Sequence, residues 1–233
     1  MQASKRLARQ QETKNRICEA AFHLYHHQGI EGVSMRTIGN LLGVSQMMSY
    51  RYFKSKNDLL IEMRARVIKH FADYLGHLAS GKAKNEIKLY RILFGYLHYS
   101  EVASEDYRFA FLMNRQMMSR LNRDFATLFS SGQKNALDIH GNLIAQILNK
   151  PTSSKQVQFL TRYIWCSLHG LATSNLDSML LGKPGYDDIK TSYIKQLLSG
   201  IIDADTLAKL RKPKDYPEMK PLVSPSENFA EPQ

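Results

Sequence analysis

Apolar residues recur at helical spacing along nearly the whole chain of 233 residues, and no segment alternates polar and apolar residues for long enough to indicate a strand. Residues three or four apart lie on one face of a helix, so such spacing marks a face that can be buried. One stripe of this kind consists of Leu59, Met63, Val67 and Phe71. Hydrophobic residues make up 43% of the chain, enough to build a core. The sequence therefore predicts an all-α fold.

Glycine, proline and serine positions divide this helical pattern into segments. Gly29 is expected to end a first helix that begins at about Thr13, and the segment 80–84 to link a fourth helix, roughly 56–78, to the rest. Further helices are predicted over 87–102, 106–113, 116–148, 156–181 and 187–202.

Positive charge is concentrated near the N-terminus. The chain has a formal net charge of +11, from 32 Lys and Arg against 21 Asp and Glu, and residues 1–70 hold 12 and 5 of these. This balance favours a polyanionic partner such as nucleic acid or an acidic membrane, bound by the N-terminal region. Lys5, Arg6 and Arg9 form a basic arm, predicted to be flexible over 1–12. The arm either contacts the DNA minor groove or phosphates, or is a solvated terminus.

Several functional classes find no support in the sequence. No apolar run approaches the about 18 residues of a membrane helix, and no apolar segment follows the basic start as in a signal peptide. Cys18 and Cys166 are far apart, which excludes a disulfide framework and fits a reducing cytoplasm. No arrangement of side chains resembles a catalytic site, so we expect neither enzymatic activity nor a cofactor. Because no membrane helix is predicted, we also expect no membrane partner.

A short histidine cluster is the one candidate for metal binding. His23, His26 and His27 form a His-x-x-His-His pattern, and His23 and His27 lie one helical turn apart. That spacing suits two ligands of a metal ion, but no nearby cysteine or carboxylate completes a set. We therefore interpret these histidines as a solvent-facing cluster rather than as metal ligands, and we predict no metal site.

Residues 34–53, with the sequence SMRTIGNLLGVSQMMSYRYF, predict two short helices joined by a tight turn. Gly43 lies where the first of these helices must end in a left-handed residue, which glycine tolerates without steric cost. Val44 is expected to fill the angle between the helices and Ser45 to cap the second one. This is the pattern of a helix-turn-helix, whose second helix lies in the major groove of DNA.

The same pattern predicts which side chains of this segment are buried and which face outward. The predicted buried residues are Ile38, Leu41, Val44 and Phe53. The predicted outward-facing residues of the second helix are Gln46, Met47, Ser49 and Tyr50, with Arg51 and Tyr52 near its end.

Residues 10–70 resemble the TetR family of bacterial transcriptional regulators. The matching positions are Glu19-Ala20-Ala21, Gly29-Ile30-Glu31-Gly32-Val33-Ser34, Arg36, Gly43-Val44-Ser45, Tyr50, Tyr52-Phe53, Lys54-Ser55-Lys56 and Leu59-Leu60. The resemblance implies a three-helix DNA-binding domain over 13–60. Three positions depart from the family pattern: Ser49 replaces the usual leucine, and Met47-Met48 replaces a commoner small or Thr-type pair.

The resemblance also implies roles for individual residues. Gln46 and Met47 match readers of base edges, since glutamine can pair with adenine and methionine can pack on a thymine methyl group. Arg36 matches a residue that reaches a guanine edge or a phosphate. Positions that match phosphate contacts are Ser34, Thr37, Met48, Tyr50, Tyr52 and Lys56, and Arg51 is added to this DNA-binding set.

Residues 61–205 are predicted to form a larger helical domain for ligand binding and dimerisation. Trp165, His169 and Gly170 resemble the Trp-x-x-x-His-Gly signature of one TetR C-terminal subtype. The candidate ligand-binding residues are Tyr96, Tyr99, Phe109, Met113, Met117, Trp165 and His169, which could equally be plain core. The candidate dimer-interface residues are Leu168, Gly170, Leu171, Ser174, Ile194 and Leu198.

The C-terminal residues have a different composition. Five of the seven prolines lie in the last 21 residues, a composition that cannot bury a core. Residues 206–233 are therefore predicted to be a disordered tail.

These observations lead to one main hypothesis and one alternative. The main one is a homodimeric, sequence-specific repressor that binds double-stranded DNA at a near-palindromic operator, with half-sites about 34–36 Å apart. A small-molecule effector would release it, and the fourth helix would connect the two domains. The alternative is an architectural or blocking DNA-binding protein of the same fold that needs no ligand.

Overall fold

The computed structural model describes residues 2–112, 136–176, 185–219, 222 and 229. All regular secondary structure in these ranges is helical, which confirms the predicted all-α fold. The helices are α1 (Gln2–Gly32), α2 (Met35–Leu42), α3 (Gln46–Tyr52), α4 (Lys56–Ala79), α5 (Asn85–Val102), α6 (Ser104–Tyr107), α7 (Ala136–Ile147), α8 (Lys155–Leu176), α9 (Tyr186–Leu198) and α10 (Ala204–Lys209).

The chain divides into two compact units, and one boundary between them falls within α4, between Ile68 and Lys69. The sequence analysis predicted a domain boundary at residue 60. The first turns of α4 belong to the N-terminal unit because they are tied to α1. The Lys14 ammonium lies 2.7 Å from the Glu62 carboxylate, and the Arg66 guanidinium donates to the Asn15 side-chain oxygen at 2.8 Å.

The first helix is longer than expected. It begins at Gln2 rather than at Thr13, so residues 2–12 are not the flexible arm that the sequence suggested. The side chains of residues 4–12 are exposed, but Ala, Lys, Arg, Leu and Gln favour the helical backbone and no Gly or Pro interrupts them. Gly29 interrupts the helix as predicted, with a φ of 68°.

The C-terminal unit is built around α5. This helix contacts α6, α7, α8 and α9, and its buried residues face in all directions. A helix that is apolar all round is suited to the centre of a bundle rather than to its surface. The helix α5 therefore sets the positions of the helices that surround it.

The connection after α6 is an unusual helical turn. Residues Arg108–Leu112 form a π-helix, and Phe109 in this turn is fully buried. The sequence predicted one short helix over 106–113, which the structure replaces with α6 and this turn. Turns of this kind are rare and often lie at functional sites.

The segment after α9 is packed against the C-terminal unit as far as residue 219, which corrects the prediction of a disordered tail from residue 206. Asp203 caps α10 by accepting a hydrogen bond from the Thr206 amide at 2.9 Å. Leu207 and Leu210 are buried, and the Tyr216 ring stacks on His98 with the ring centroids 3.9 Å apart. Burial of these apolar and aromatic side chains stabilises the segment, and the proline content alone did not reveal it.

Candidate nucleic-acid interface

The start of α2 is fixed by a capping box. The Ser34 hydroxyl accepts a hydrogen bond from the Thr37 amide at 3.1 Å, and the Thr37 hydroxyl accepts one from the Ser34 amide at 2.9 Å. The Thr37 hydroxyl also donates to the Gly32 carbonyl at 2.8 Å. These bonds satisfy amides that the first turn of a helix leaves without partners.

The turn between α2 and α3 brings two backbones into close contact. Gly43 has the left-handed conformation predicted for it, with φ 67° and ψ 29°, and the Val44 amide donates to the Gly39 carbonyl at 2.9 Å. A Cβ atom on Gly39 would lie 2.8 Å from the Val44 carbonyl oxygen and 3.1 Å from the Gln46 amide. The angle between α2 and α3 therefore depends on a glycine at position 39, which the sequence analysis did not single out.

The outer face of α3 carries both polar and apolar side chains. Gln46, Met47, Tyr50 and Arg51 are exposed, with Met47 at 64% and Tyr50 at 47%. Arg36 on α2 is also exposed. Met48 and Tyr52 are half-buried, as are Leu41 and Val44 in the turn, whereas Ile38 and Phe53 are in the core.

Ser49 within α3 and Ser45 at its N-cap differ from their predicted roles. Ser49 is not on the outer face: it is fully buried, and its hydroxyl has no hydrogen-bond partner among the described residues. The helix α3 packs closely on α2, and Ser49 is on the buried side of α3 although its spacing from Gln46 suggested the outer face. Ser45 stands at the N-cap with extended backbone angles, but its side chain makes no capping bond to the described helix.

Three of the predicted phosphate-binding residues are engaged within the protein. Ser34 and Thr37 form the capping box, and the Lys56 ammonium donates to the Ile30 carbonyl at 2.9 Å. These bonds hold the ends of α1, α2 and α4 together. The structure thus gives Ser34, Thr37 and Lys56 a structural role alongside the predicted one.

An ion-pair network between α1 and α4 was missed by the sequence analysis. Glu62 on α4 accepts from Lys14 at 2.7 Å and from the Arg66 Nε at 3.2 Å, and Lys14 also lies 5.5 Å from the centre of the Phe53 ring. Burial would raise the pKa of Glu62, but the hydrogen bonds and charges of Lys14 and Arg66 outweigh it and lower the pKa. The spacing of Glu62 and Arg66, one helical turn, was the signal available in the sequence.

The remaining polar residues of α1 show no metal site. The His27 Nδ1 is 2.8 Å from the His23 carbonyl, and the two rings have centroids 4.2 Å apart. Within the described ranges, no group of three or more His, Cys, Asp or Glu is placed to hold a metal ion. Burial raises the pKa of the Cys18 thiol to about 12, so this cysteine stays protonated.

The ligand candidates lie in an aromatic cluster of the C-terminal unit. Tyr96, Tyr99 and Phe109 are fully buried, and Trp165 and His169 are half-buried. The remaining candidates, Met113 and Met117, lie outside the described residues.

Polar groups within this cluster contact one another. The Tyr107 hydroxyl lies 2.9 Å from the Tyr96 hydroxyl and 2.8 Å from the His169 Nδ1, while the Trp165 ring lies 5.3 Å from Tyr96. Tyr107 and His140 belong to this cluster but were not among the predicted ligand residues. No sequence spacing connects them, because they lie on different helices.

Two cavities lined by described residues lie away from this cluster. One of about 510 Å³ lies between the end of α4 and residues 213–217, and another of about 510 Å³ lies beside the connection from α7 to α8. Neither is lined by a ligand candidate.

Most of the predicted dimer-interface residues are already in the core of one chain, which corrects that prediction. Leu168, Leu171, Ile194 and Leu198 are buried, so they cannot also cover a partner. They were chosen because they are apolar, but their helical faces point inward. Of the other two, Gly170 is exposed and Ser174 is half-buried. The exposed side of α8 instead carries Phe159, Tyr163, Cys166 and Gly170.

In the part of the chain that the structure describes, no helix has both the length and the apolarity needed to cross a membrane.

Comparison with known proteins identifies the N-terminal region. Residues 17–63 match the model of a family described as bacterial regulatory proteins, tetR family. The chain is 37% identical over 60 residues to an HTH-type transcriptional regulator of Staphylococcus aureus strain bovine RF122 / ET3-1. That match covers 26% of this chain and 32% of the relative, so the chain spans about a third of the relative's length.

Solved structures resemble a larger part of the chain, at low sequence identity. A transcriptional regulator of the TetR/AcrR family from Thermobifida fusca YX-ER1 aligns with a TM-score of 0.58 at 16% identity, over 82% of this chain and 99% of that one. A protein of unknown function from Rhodococcus sp. RHA1 aligns with a TM-score of 0.63 at 16% identity, over 81% and 95%. Residues 17–63 thus match the tetR family of bacterial regulatory proteins, and the chain shares the all-helical fold of these solved structures.

Proposed function

We propose that the protein is a DNA-binding transcriptional regulator that reads base sequence with α3. The observation that carries this proposal is the exposed set Gln46, Met47 and Tyr50 on a helix whose angle to α2 is fixed by the contact at Gly39. Gln46 has the donor and acceptor needed to pair with adenine, and Met47 offers a methyl group to thymine. Arg36, exposed on α2, can reach a guanine edge or a phosphate.

Contacts to the phosphate backbone would supply affinity and register. Tyr50, Arg51 and Tyr52 are on or beside the exposed face of α3, and Met48 is half-buried there. Ser34, Thr37 and Lys56 flank this face at helix ends. The concentration of Lys and Arg in residues 1–70 supports the same partner, because much of the affinity of such proteins for DNA is electrostatic.

We propose a homodimer whose subunits meet through the exposed side of α8. Phe159 is 65% exposed and Tyr163 46% exposed, and they lie on the same side of α8 as Cys166 and Gly170. A Cβ atom on Gly170 would meet nothing within 4 Å in the chain, so another backbone can approach closely there. A self-complementary patch of this kind suits a two-fold dimer, which presents two copies of α3 to a near-palindromic site.

The regulator is proposed to act as a repressor that a small molecule releases from DNA. A ligand that binds the C-terminal unit more tightly in one conformation shifts the population toward that conformation. By linkage, DNA would weaken ligand binding by the same factor as the ligand weakens DNA binding. The helix α4 runs without a break from the N-terminal unit into the C-terminal unit, so it is one covalent connection between them.

A second candidate function is a DNA-binding protein of the same fold that responds to no ligand. Complete burial of Tyr96, Tyr99 and Phe109 favours it, since these residues already fill their own space. Ligand dependence of DNA affinity separates the two functions.

The proposed function is tested by selecting bound duplexes from a random-sequence pool at near-physiological salt, since affinity falls with salt. A two-fold symmetric site should be enriched, with half-sites about one helical turn of DNA apart. Strong binding without enrichment would favour the ligand-independent architectural protein. Failure to bind any duplex would contradict both candidates.

The dimer is tested by sedimentation of the wild type and of Tyr163→Glu. The charged side chain should convert the dimer to a monomer because it would be buried without a partner. Ile189→Glu is the matched control, since Ile189 is also exposed, at 43%, but lies on α9. A wild type that sediments as a monomer at all concentrations would contradict the proposed dimer.

A further inference from the structure

His140 on α7 is a buried histidine of the aromatic cluster. Its side chain is 1% exposed, and its Nδ1 donates to the Ala136 carbonyl one turn earlier in α7. A carbonyl can only accept, so the proton of the ring is on Nδ1. Burial lowers the pKa of His140 to about 4, although the bond to Ala136 opposes this, and the ring is therefore neutral near pH 7.

The other ring nitrogen of His140 is left with an unused lone pair. The Nε2 is buried and has no hydrogen-bond partner among the described residues. A buried acceptor without a donor is costly, and native proteins rarely contain one that has no function or bound partner. This atom therefore calls for a molecule that donates a hydrogen bond.

A second buried group without a partner lies on α8. Asn175 is 1% exposed, and neither its amide nitrogen nor its oxygen has a hydrogen-bond partner in the described ranges. Trp165 and Asn175 are ten residues apart on α8, which is about 15 Å along a helix. Both unpartnered groups belong to the C-terminal unit.

Aromatic rings connect His140 with the polar groups of the cluster. The Trp165 ring lies 6.3 Å from the His140 ring, 5.3 Å from Tyr96 and 6.0 Å from Phe111, all at steep angles. Phe111 lies in turn 4.8 Å from the Tyr107 ring. These edge-to-face contacts form an apolar wall that suits another flat aromatic molecule.

The polar groups in this wall are uncharged. Burial raises the pKa of Tyr96, further raised by Tyr107, and burial lowers the pKa of His169. When the Tyr107 hydroxyl donates its hydrogen bond to the His169 Nδ1, the ring proton of His169 is on Nε2, and Nε2 is then a donor. Arg108, the residue that follows Tyr107, donates to the Leu176 carbonyl.

Two features give a ligand access to the cluster. Trp165 and His169 are half-buried rather than enclosed, so one side of the wall reaches solvent. Phe111 is carried by the π-helical turn Arg108–Leu112, and irregular turns of this kind are common where helices border a binding site.

We infer that the effector, whose existence rests on the proposed function, is an uncharged aromatic molecule that carries a hydroxyl group. The hydroxyl donates to the His140 Nε2, and the ring packs against Trp165 and Phe111. The Asn175 amide takes a polar group at the far end of a longer ligand. An anion is disfavoured because the described side chains of the cluster include no lysine or arginine to replace its lost hydration, and the neighbouring Arg108 donates to the Leu176 carbonyl.

The inference is tested with three biphenyl probes that differ in one group: 4-phenylphenol, 4-methoxybiphenyl and biphenyl-4-carboxylate. Calorimetry with the full chain and no DNA gives each affinity. The emission of Trp165, the single tryptophan of the chain, reports whether binding occurs at the cluster. The phenol should bind at least about tenfold more tightly than the methyl ether, which cannot donate, and than the carboxylate.

The variant His140→Leu tests whether the hydroxyl of the phenol bonds to His140. In His140→Leu, the phenol and the methyl ether should bind with equal affinity, since the acceptor is gone. His98→Leu is the matched control: His98 lies in the same unit but stacks on Tyr216, and the phenol should keep its advantage there.

Three results would overturn the inference: tightest binding by the carboxylate, equal binding of phenol and ether by the wild type, or no binding of the phenol up to its solubility limit. None of these depends on DNA. Selection of duplexes by the ligand-free protein tests the proposed function separately, so the two can fail independently.

Discussion

The two units of this protein place their polar side chains in opposite ways. In the N-terminal unit, Tyr50 and Gln46 project from a short helix, and Tyr50 is 47% exposed. In the C-terminal unit, Tyr96 and Tyr107 have no exposed surface and bond to one another. An exposed polar face can be read by a large rigid partner such as a duplex. A buried polar cluster can only meet a molecule small enough to enter it.

The largest effect is expected for Phe71→Ala in the buried cluster. The Phe71 ring is fully buried and lies 4.9–6.2 Å from the rings of Tyr96, Tyr99, Phe111 and Trp165. Its loss should lower the free energy of unfolding of the C-terminal unit by about 3–5 kcal/mol. Urea unfolding followed by Trp165 emission measures this change.

The matched control for this prediction is Val102→Ala. Val102 belongs to the same unit but is 63% exposed, so the change should stay within about 0.5 kcal/mol. Equal effects of the two substitutions would mean that the cluster is not the packed centre of the unit.

A smaller loss is expected for Gly39→Ala in the helix-turn-helix. The new Cβ would meet the Val44 carbonyl oxygen at 2.8 Å, and backbone atoms cannot move aside as a side chain can. The N-terminal unit should lose about 1–3 kcal/mol, despite the better helix propensity of alanine, and DNA binding should weaken with it. Hydrogen exchange of the α2 and α3 amides measures the loss.

Gly76→Ala is the control for this close contact. Gly76 is also helical, in α4, but its Cβ would have only the Ile139 side chain at 4.0 Å. That substitution should be neutral or stabilise the protein by up to about 1 kcal/mol. A destabilising Gly76→Ala together with a neutral Gly39→Ala would contradict the proposed packing of the turn.

The contrast between the units also explains what could be predicted from the sequence. The helix-turn-helix depends on bonds between residues a few positions apart, such as Ser34 with Thr37, so its local pattern is visible in the sequence. The buried cluster depends on Tyr96 and His169, which are 73 positions apart, and no local pattern predicts that they meet. Ser49 shows the limit within the first unit, because a polar residue suggested the outer face and the packing of α3 buried it.

An intermediate effect, dependent on pH, is expected for the ion-pair network between α1 and α4. The pKa of Glu62 is lowered in the folded unit from its ordinary 4.5, so its contribution is fully present above that value and is lost as the pH falls through the lowered pKa. In Glu62→Gln this acid-dependent loss should disappear. Hydrogen exchange of the N-terminal unit at several pH values below about 5 tests the prediction.

The control for this pH dependence is Asp73→Asn, because Asp73 pairs with Lys69 on the exposed surface of α4. Its removal should leave the acid-dependent loss as in the wild type. If Glu62→Gln and the wild type lose the same stability in acid, the network does not hold α1 to α4.

The smallest effect is expected for Ser49→Ala, and it is a gain. The Ser49 hydroxyl is buried with no hydrogen-bond partner among the described residues, and alanine removes it without leaving a large cavity. The N-terminal unit should gain up to about 1 kcal/mol. Ser45→Ala should change stability by less than about 0.5 kcal/mol, because the Ser45 side chain makes no capping bond to the described helix. A loss of stability in Ser49→Ala would show that this hydroxyl has a partner after all.

The central claim, that the outer face of α3 reads DNA sequence, is tested most directly by comparing Gln46→Ala with Tyr50→Phe. Both are measured by fluorescence anisotropy on the selected duplex and on each of its single-base variants at one salt concentration. Gln46→Ala should lose about 1–3 kcal/mol and no longer distinguish bases at one position. Tyr50→Phe should weaken binding to every duplex equally, because its hydroxyl is assigned to a phosphate. An unchanged base preference in Gln46→Ala would contradict the claim.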